Sequence, residues 1–348
     1  MDMLSCCTQR DKTTLPTLIW GTSKLGNLFS AVSHTDKLAV VRAIFETNQK
    51  IMFDSAGKYG AGLALEELGL CLDELNIPPE NVTISNKLAW KRSKTLAEGE
   101  EPTFEPGAWV GLKHDAVQDI SYQGMMECYE EGNRLLGKYN ADVISVHDPD
   151  EYLNGAKDAT ELEKRRKDIL EAYRALQDLK TAGKIKSIGV GAKDITAIDW
   201  ISDHVQLDWA MFACSITCKS HNEVAQQLLK KLGSQGVDVI NSAVFNSGFL
   251  IGGDHYDYKK LTRENDLAMF EWRDAFHKLC TEFSIKPTAA CVQFSFLFPE
   301  IKSIALSTSN PGRVASNVEL VTTVVPREFW IRMKEEGLID IDIAFFKS

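Results

Sequence analysis

Short apolar runs alternate with longer amphipathic segments along most of the chain. Short runs are typical of strands, and longer segments with apolar residues at helical spacing are typical of helices. The pattern predicts strands at residues 17–21, 51–53, 82–88, 141–147, 185–190, 207–213, 237–240 and 301–306. It predicts helices at residues 36–48, 63–75, 124–138, 165–184, 194–204, 224–232, 266–283 and 312–323. Asp36 is the predicted N-cap of the first helix. Such alternation indicates a parallel sheet covered by helices.

Eight strand–helix units favour a closed barrel over an open doubly wound sheet. The units occupy about 320 residues, the usual scale of a (β/α)8 barrel with insertions. An open sheet that binds a dinucleotide would carry a GxGxxG turn after its first strand, whereas residues 21–26 read Gly-Thr-Ser-Lys-Leu-Gly. We therefore predict an α/β fold, a (β/α)8 TIM barrel formed as one domain by residues 1–348, with long loops over its C-terminal face.

Four stretches fall outside this repeat. Residues 89–120 and 244–265 follow the third and seventh predicted strands. Loops after strands lie on the catalytic face of such barrels, so we expect these two insertions to cover the active site. Residues 1–14 are expected to form a polar N-terminal tail, and residues 326–348 a C-terminal extension.

Composition narrows the kind of protein. Apolar residues make up 44% and charged residues 25% of the chain, which is typical of a globular protein. The net charge of -10 argues against nucleic acid or an anionic membrane as a partner, and no apolar run is long enough to span a membrane. Scattered cysteines indicate reduced thiols. We expect a cytoplasmic monomer or homodimer with a small-molecule substrate. We expect no metal, because Cys214, Cys218 and His221 lack a second ligand pair at zinc spacing.

Four titratable residues follow the ends of apolar runs. Asp54, Lys87 and His147 lie just past three strand-like runs, and Tyr59 lies in the turn after the first of them. Because parallel strands end at one rim, we expect these side chains to converge. A nearby ammonium would lower the pKa of the tyrosine, a carboxylate would hold the lysine, and the histidine would orient a substrate oxygen.

Each of these four residues also has a structural interpretation. Asp54 alone is typical of a loop cap, Tyr59 of a turn, Lys87 of a solvated lysine and His147 of a rim histidine. Their joint placement favours a proton-transfer site. None of them donates hydride, so redox chemistry at this site requires a cofactor.

The motifs that carry these residues resemble those of the aldo-keto reductases. They read Phe53-Asp-Ser-Ala-Gly-Lys-Tyr-Gly60, Asn86-Lys87, Val146-His147 and Ile188-Gly-Val-Gly-Ala192. The resemblance runs from about Leu18 to Leu320. It implies a (β/α)8 barrel that binds an extended nicotinamide cofactor. It further implies Tyr59 as proton donor or acceptor, Lys87 and Asp54 as residues that tune it, and His147 as the residue that orients the substrate.

Three segments are similar to the aldose 1-dehydrogenase branch, which includes L-fucose, D-arabinose and L-galactose dehydrogenases. They are Leu25-Gly-Asn-Leu28, His147-Asp148 and Val244-Phe-Asn-Ser-Gly-Phe-Leu250. This resemblance implies oxidation of the C1 hydroxyl of a cyclic aldose to a lactone, with Tyr59 accepting the hydroxyl proton. The alternatives are an NADPH-dependent aldehyde or ketone reductase of the same family, and a regulatory protein that binds the cofactor without turnover.

The resemblance also implies where the cofactor and the sugar bind. The cofactor-binding positions are Gly21, Thr22, Ala192, Lys193, Asn246, Ser247, Gly248, Leu250, Ser307, Thr308, Ser309, Arg313 and Asn317. Ala192 and Lys193 replace a Ser-Asn pair that many members use to hold the carboxamide. Ser309 stands where NADP-preferring members usually carry a cation, so we expect NAD, with NADP possible. The candidate substrate residues are Trp20, Trp90, Trp109 and Asp148.

Overall fold

Eight parallel strands close into a barrel in a computed structural model that describes residues 14–257 and 259–342. The barrel strands are β1 (Leu18–Gly21), β2 (Met52–Ala56), β3 (Thr83–Leu88), β6 (Val143–His147), β7 (Ser187–Ala192), β8 (Trp209–Ala213), β9 (Asp238–Ser242) and β12 (Ile301–Leu306). Around the barrel they run in the order β1-β12-β9-β8-β7-β6-β3-β2, and β1 pairs with β2 to close it. The predicted barrel and its eight strands are confirmed, with bounds shifted by up to two or three residues.

Helices surround the barrel. They are α1 (His34–Phe45), α2 (Leu63–Glu74), α3 (Tyr122–Leu136), α4 (Pro149–Asn154), α5 (Ala159–Thr181), α6 (Ile195–His204), α7 (Glu223–Ser234), α8 (Leu267–Glu282), α9 (Pro287–Ser295), α10 (Val314–Thr322) and α11 (Arg327–Glu335). The predicted N-cap of the first helix is wrong, because Ser33 accepts the capping hydrogen bond from the Asp36 amide. The apolar pattern missed two helices. The helix α4 is too short to show a helical repeat of apolar residues, and α9 is buried along most of its length, so it lacks a polar face.

Side chains alternate between two cores along the strands. One cluster lies inside the barrel and joins residues of five strands, namely Ile19, Met52, Val143, Trp209, Met211 and Ile240. The residues that follow them, such as Trp20, Phe53 and Ile144, pack in the larger core between the strands and the helices. This two-residue period decides which side chains reach the barrel rim from inside.

The two insertions have structure of their own. Residues 89–120 contain an antiparallel pair, β4 (Trp90–Thr95) and β5 (His114–Gln118). Residues 244–265 contain a 3-10 segment at Asn246–Ile251 and a two-residue pair, β10 (His255–Tyr256) and β11 (Lys259–Lys260). The C-terminal extension contains α11, while residues 1–13 of the predicted tail lie outside the described residues.

None of the helices in the described ranges is both long and apolar enough to cross a membrane. The six described cysteines are free thiols and are buried.

Candidate active site

Asp54, Lys87 and His147 lie inside the carboxyl ends of β2, β3 and β6. The predicted strands 82–88 and 141–147 already contain Lys87 and His147, whereas Asp54 follows the predicted strand 51–53 and instead lies inside β2. The alternation explains their direction: Asp54 lies two residues after the inward Met52, and His147 lies four residues after the inward Val143. Because β2 pairs with β3 and β3 pairs with β6, the three side chains meet at the inner rim.

A buried ion pair joins Lys87 to Asp54. The Nζ of Lys87 donates to Oδ2 of Asp54 at 2.5 Å and to the carbonyl of Ser55 at 3.2 Å. Ser85 donates to the other carboxylate oxygen, Oδ1, at 3.3 Å. Lys87 and Asp54 are 2% and 3% exposed, so the two charges depend on each other for stabilisation.

The ring of Tyr59 lies between the other candidate residues. The Nζ of Lys87 is 4.6 Å from its centroid, and the His147 ring meets it edge to face at 5.7 Å. Burial raises the pKa of Tyr59 well above its usual value, with further increases from the carboxylates of Asp54 and Asp148. The net shift of this pKa is therefore opposite to the lowered pKa expected from a nearby ammonium. The ammonium is paired with Asp54 and lies over the face of the ring.

His147 is neutral near pH 7. Burial lowers its pKa to about 3, and the neighbouring Asp148 carboxylate only partly opposes this. Nε2 is 3.6 Å from Oδ2 of Asp148. Within the described residues, Nδ1 is buried without a hydrogen-bond partner. A neutral imidazole at the rim can hydrogen-bond a substrate oxygen without adding a charge.

Gly191 makes room for Lys87. It follows the inward-facing Gly189 in β7, and a Cβ built on it would lie 2.9 Å from Cδ of Lys87. Sequence reasoning used this glycine only as part of a motif and missed its packing role.

We expect Gly191→Ala to reduce turnover by about tenfold, because the added methyl group displaces the Lys87 ammonium from Tyr59. Steady-state kinetics check this prediction. Gly155→Ala is the matched control, since a Cβ there meets the flexible guanidinium of Arg165 instead. Equal activity of the two variants would contradict the packing role.

Lys58 is a second buried lysine at the rim, and sequence reasoning missed it. Its Nζ lies 2.7 Å from Oδ2 of Asp148, 2.8 Å from Oε2 of Glu151 and 3.0 Å from Oε1 of Glu105. Burial alone would lower the pKa of Lys58, but these three carboxylates raise it. The signal in the sequence was a lysine next to Tyr59, but its partners come from distant segments.

Three of the four candidate substrate residues meet at this place. Trp109 packs 5.8 Å from the Tyr59 ring, Trp90 lies 4.8 Å from Nζ of Lys58, and Asp148 contacts both Lys58 and His147. Trp20 does not join them. It points outward from β1 into the core against α1 and is 2% exposed.

The predicted cofactor positions follow the other arc of the rim. The strands β9, β12 and β1 are neighbours, so the loops that follow them lie side by side. Ser23 donates to Ser307 at 3.4 Å, and a Cβ on Gly21 would contact Ser307 at 3.4 Å. The backbone of Ser247 and Gly248 has positive φ angles of 58° and 97°. Hydroxyl groups and an irregular loop at one rim fit a dinucleotide phosphate.

Other predicted cofactor residues differ in how they are placed. Thr22 is buried and donates to the Asp54 carbonyl and to Ser55. Lys193 lies 3.6 Å from Glu151. The side chains of Ala192, Asn246 and Leu250 are buried and do not reach the rim surface. Asn246 instead donates to Asp257, and Leu250 packs in the outer core.

The predicted adenosine end lies after β12. Ser307, Ser309 and Arg313 are exposed, while Thr308 and Asn317 are half-buried. Arg313 immediately precedes α10. An exposed guanidinium at this place fits a phosphate or an adenine ring.

A cavity of about 780 Å³ opens beside the rim. Its lining includes Lys193, Cys214, Lys219, His221 and Lys334. It lies next to the ends of β7 and β8 and does not contain the four candidate catalytic residues. Both ring nitrogens of His221 bond to backbone groups, those of Thr217 and Asp340, so this histidine is unsuited to metal binding.

Away from the rim, ligand atoms of His34, Glu67 and Cys71 approach within 4.8 Å of one another. The imidazole of His34 already bonds to the carboxylates of Glu67 and Glu74.

A parallel barrel with a Tyr–Lys–Asp–His group at its rim is the arrangement of a class of nicotinamide-dependent oxidoreductases. The chain belongs to the aldo/keto reductase family, whose sequence profile matches residues 17–336. The family prediction is confirmed. The chain is accordingly an NAD(P)-dependent oxidoreductase.

Three similar proteins are dehydrogenases. The chain is 28% identical to pyridoxal 4-dehydrogenase of Microbacterium luteolum over 340 residues, covering 94% of this chain and 95% of the relative. It is 24% identical to D-threo-aldose 1-dehydrogenase of Pseudomonas sp. over 333 residues, covering 93% and 95%. It is 23% identical to L-galactose dehydrogenase of Arabidopsis thaliana over 326 residues, covering 93% and 88%.

Two solved structures share the fold. A glycerol dehydrogenase from Gluconobacter oxydans superposes with a TM-score of 0.67 at 19% identity, covering 96% of this chain and 97% of that one. The holo form of an aldo-keto reductase from Bacillus halodurans also gives 0.67, at 16% identity and 95% and 97% coverage.

Proposed function

We propose that this protein is an aldose 1-dehydrogenase that oxidises the C1 hydroxyl of a cyclic aldose, such as L-fucose, L-galactose or D-arabinose, to a lactone. The observation that carries the proposal is the meeting of Tyr59, His147 and the Lys87–Asp54 pair at one rim, beside Asp148 and two tryptophans. The names of two relatives, D-threo-aldose 1-dehydrogenase and L-galactose dehydrogenase, support the choice of substrate.

Each residue has a defined task in this proposal. Tyr59 accepts the proton of the C1 hydroxyl. The Lys87 ammonium, held by Asp54, lies over the Tyr59 ring and stabilises the phenolate that forms. Neutral His147 hydrogen-bonds the C1 oxygen and orients it. The bound nicotinamide supplies the hydride acceptor.

A panel of aldoses tests the proposal with NAD and with NADP, followed at the nicotinamide absorbance and by detection of the lactone. We expect cofactor reduction with one or more of the three sugars, and none with the matching 1-O-methyl glycosides, whose C1 hydroxyl is blocked. Activity on aldehydes alone, without any aldose, would contradict the proposal and favour the reductase alternative.

Pyridoxal is a second candidate substrate. The rim carries a wall of aromatic rings, with Trp90 5.9 Å from Phe104 and Phe104 6.4 Å from Trp109, next to three carboxylates. Such a wall suits a protonated aromatic ring as well as a sugar face. A relative named pyridoxal 4-dehydrogenase supports its inclusion in the panel.

We further propose that NAD is preferred over NADP. The exposed Ser309 offers no positive charge for a 2′-phosphate. Ser309→Arg is expected to increase NADP affinity by about tenfold or more and to leave NAD affinity within about twofold. Cofactor fluorescence titrations check this, with the exposed Ser234→Arg as the matched control. An unchanged NADP affinity would contradict the assignment of residue 309.

The acidic net charge supports a small-molecule substrate, and the free, buried cysteines of the described residues support a cytoplasmic location.

A further inference from the structure

Lys58 and its three carboxylates form one cluster, which we call the acidic wall and define as Lys58, Glu105, Asp148 and Glu151. The carboxylates come from three segments: Glu105 from the insertion, Asp148 from the turn after β6, and Glu151 from α4. The Lys58 side chain is 3% exposed, so its ammonium forms ion pairs with these carboxylates and has little contact with solvent.

The acidic wall has an excess of negative charge. One ammonium faces three carboxylates, and among the residues that the structure describes Lys193 adds a second cation, 3.6 Å from Glu151. Even with both lysines counted, one negative charge remains. The side chains of Glu105 and Glu151 are 32% and 37% exposed, so this charge reaches the surface of the site.

The acidic wall adjoins the candidate catalytic residues. Asp148 lies 3.6 Å from the His147 ring nitrogen. Glu105 accepts a hydrogen bond from Trp109 Nε1 at 2.8 Å, and the Trp109 ring packs on Tyr59. The carboxylates of Asp148 and Glu105 both raise the pKa of Tyr59, as expected for negative charges near its hydroxyl.

The backbone holds Asp148 in place. Its amide donates to the Gly191 carbonyl at 2.9 Å, and its own carbonyl accepts from Gln118 at 3.2 Å. Its φ of 50° is left-handed, a conformation that aspartate tolerates better than most residues. A fixed carboxylate provides hydrogen-bond acceptors for substrate hydroxyl groups and repels an anion at the same distance.

We infer that the acidic wall determines substrate charge: it admits uncharged hydroxyl-bearing substrates and rejects those that carry a carboxylate or a phosphate near the reacting carbon. This inference rests on the proposed function, because it takes this rim as the substrate site. It concerns charge alone, so it can be tested without an aldose.

The test compares reduction of two aldehydes, 4-carboxybenzaldehyde and its uncharged carboxamide, by the wild-type enzyme with reduced nicotinamide cofactor. We expect kcat/KM to favour the carboxamide by about tenfold or more. Glu105→Gln removes one negative charge and keeps a hydrogen-bond acceptor for Lys58. It should therefore reduce the ratio of kcat/KM for the carboxamide to kcat/KM for the carboxylate by about three- to tenfold. Glu171→Gln, on a surface pair with Arg174, is the control that should leave the preference unchanged.

A purely structural role would slow both aldehydes equally in Glu105→Gln, and that result would overturn the inference. Equal rates in the wild type, or an unreactive carboxamide, would overturn it too. Glu151→Gln provides a second variant with the same expectation if Glu105→Gln does not fold. If no aldose reacts but the preference for the uncharged aldehyde is found, the proposed function fails and the inference about substrate charge is supported.

Discussion

Tyr59→Phe is expected to lower kcat by about 10²–10⁴-fold and to leave cofactor affinity within about twofold. The change removes the hydroxyl that exchanges a proton with the substrate, a contribution of this size for a general acid or base. The ring keeps its packing against Trp109 and His147, so the fold and the cofactor loops are unaffected. Steady-state kinetics and a cofactor titration on the same sample measure both quantities.

Tyr122→Phe is the matched control. Its hydroxyl donates to Asp178 on the helical surface, away from the rim. We expect it to retain wild-type turnover. Normal activity in Tyr59→Phe would contradict its assigned proton transfer, and loss of cofactor binding would show that the variant had disturbed the site as a whole.

Lys87→Met is expected to reduce the free energy of unfolding by about 3–5 kcal/mol and to abolish measurable turnover. Removal of one partner leaves the Asp54 carboxylate buried without its counter-ion, which is the costly case for a buried ion pair. Turnover falls because the ammonium over the Tyr59 ring is lost. Urea unfolding and activity assays check the two effects separately.

The double variant Asp54→Asn with Lys87→Met separates stability from catalysis. With both charges removed, most of the lost stability should return, while activity should not. Lys94→Met, which breaks an exposed pair with Glu100, should leave the urea midpoint of unfolding unchanged. Recovery of activity in the double variant would contradict the role of Lys87.

The barrel and the rim residues could be predicted because they follow a local pattern. Each strand is a short apolar run, and the rim residues stand at the carboxyl ends of three such runs, so their meeting depends only on strand order. The helix α9 escaped this reasoning because it is buried on most sides and shows no amphipathic period.

The surroundings of the site could not be predicted in the same way. The partners of Lys58 come from three segments far along the chain, and no local spacing links them. The direction of the Tyr59 pKa shift depends on burial and on the nearby carboxylates of Asp54 and Asp148, and both are set by packing. Trp20 and Trp109 are both tryptophans near strand ends or loops, and only the fold shows that Trp20 faces outward.

The pH dependence of kcat/KM for substrate oxidation, at saturating cofactor, tests the central claim most directly. Only the phenolate form of Tyr59 accepts a proton, and its pKa is raised, so the reactive fraction grows as pH rises. We expect kcat/KM to increase by about tenfold per pH unit between pH 7 and pH 9. We expect no inflection near pH 6.5 from His147, whose pKa is lowered to about 3. A flat profile over this range, or one governed by a single inflection near pH 6.5, would contradict Tyr59 as the proton acceptor.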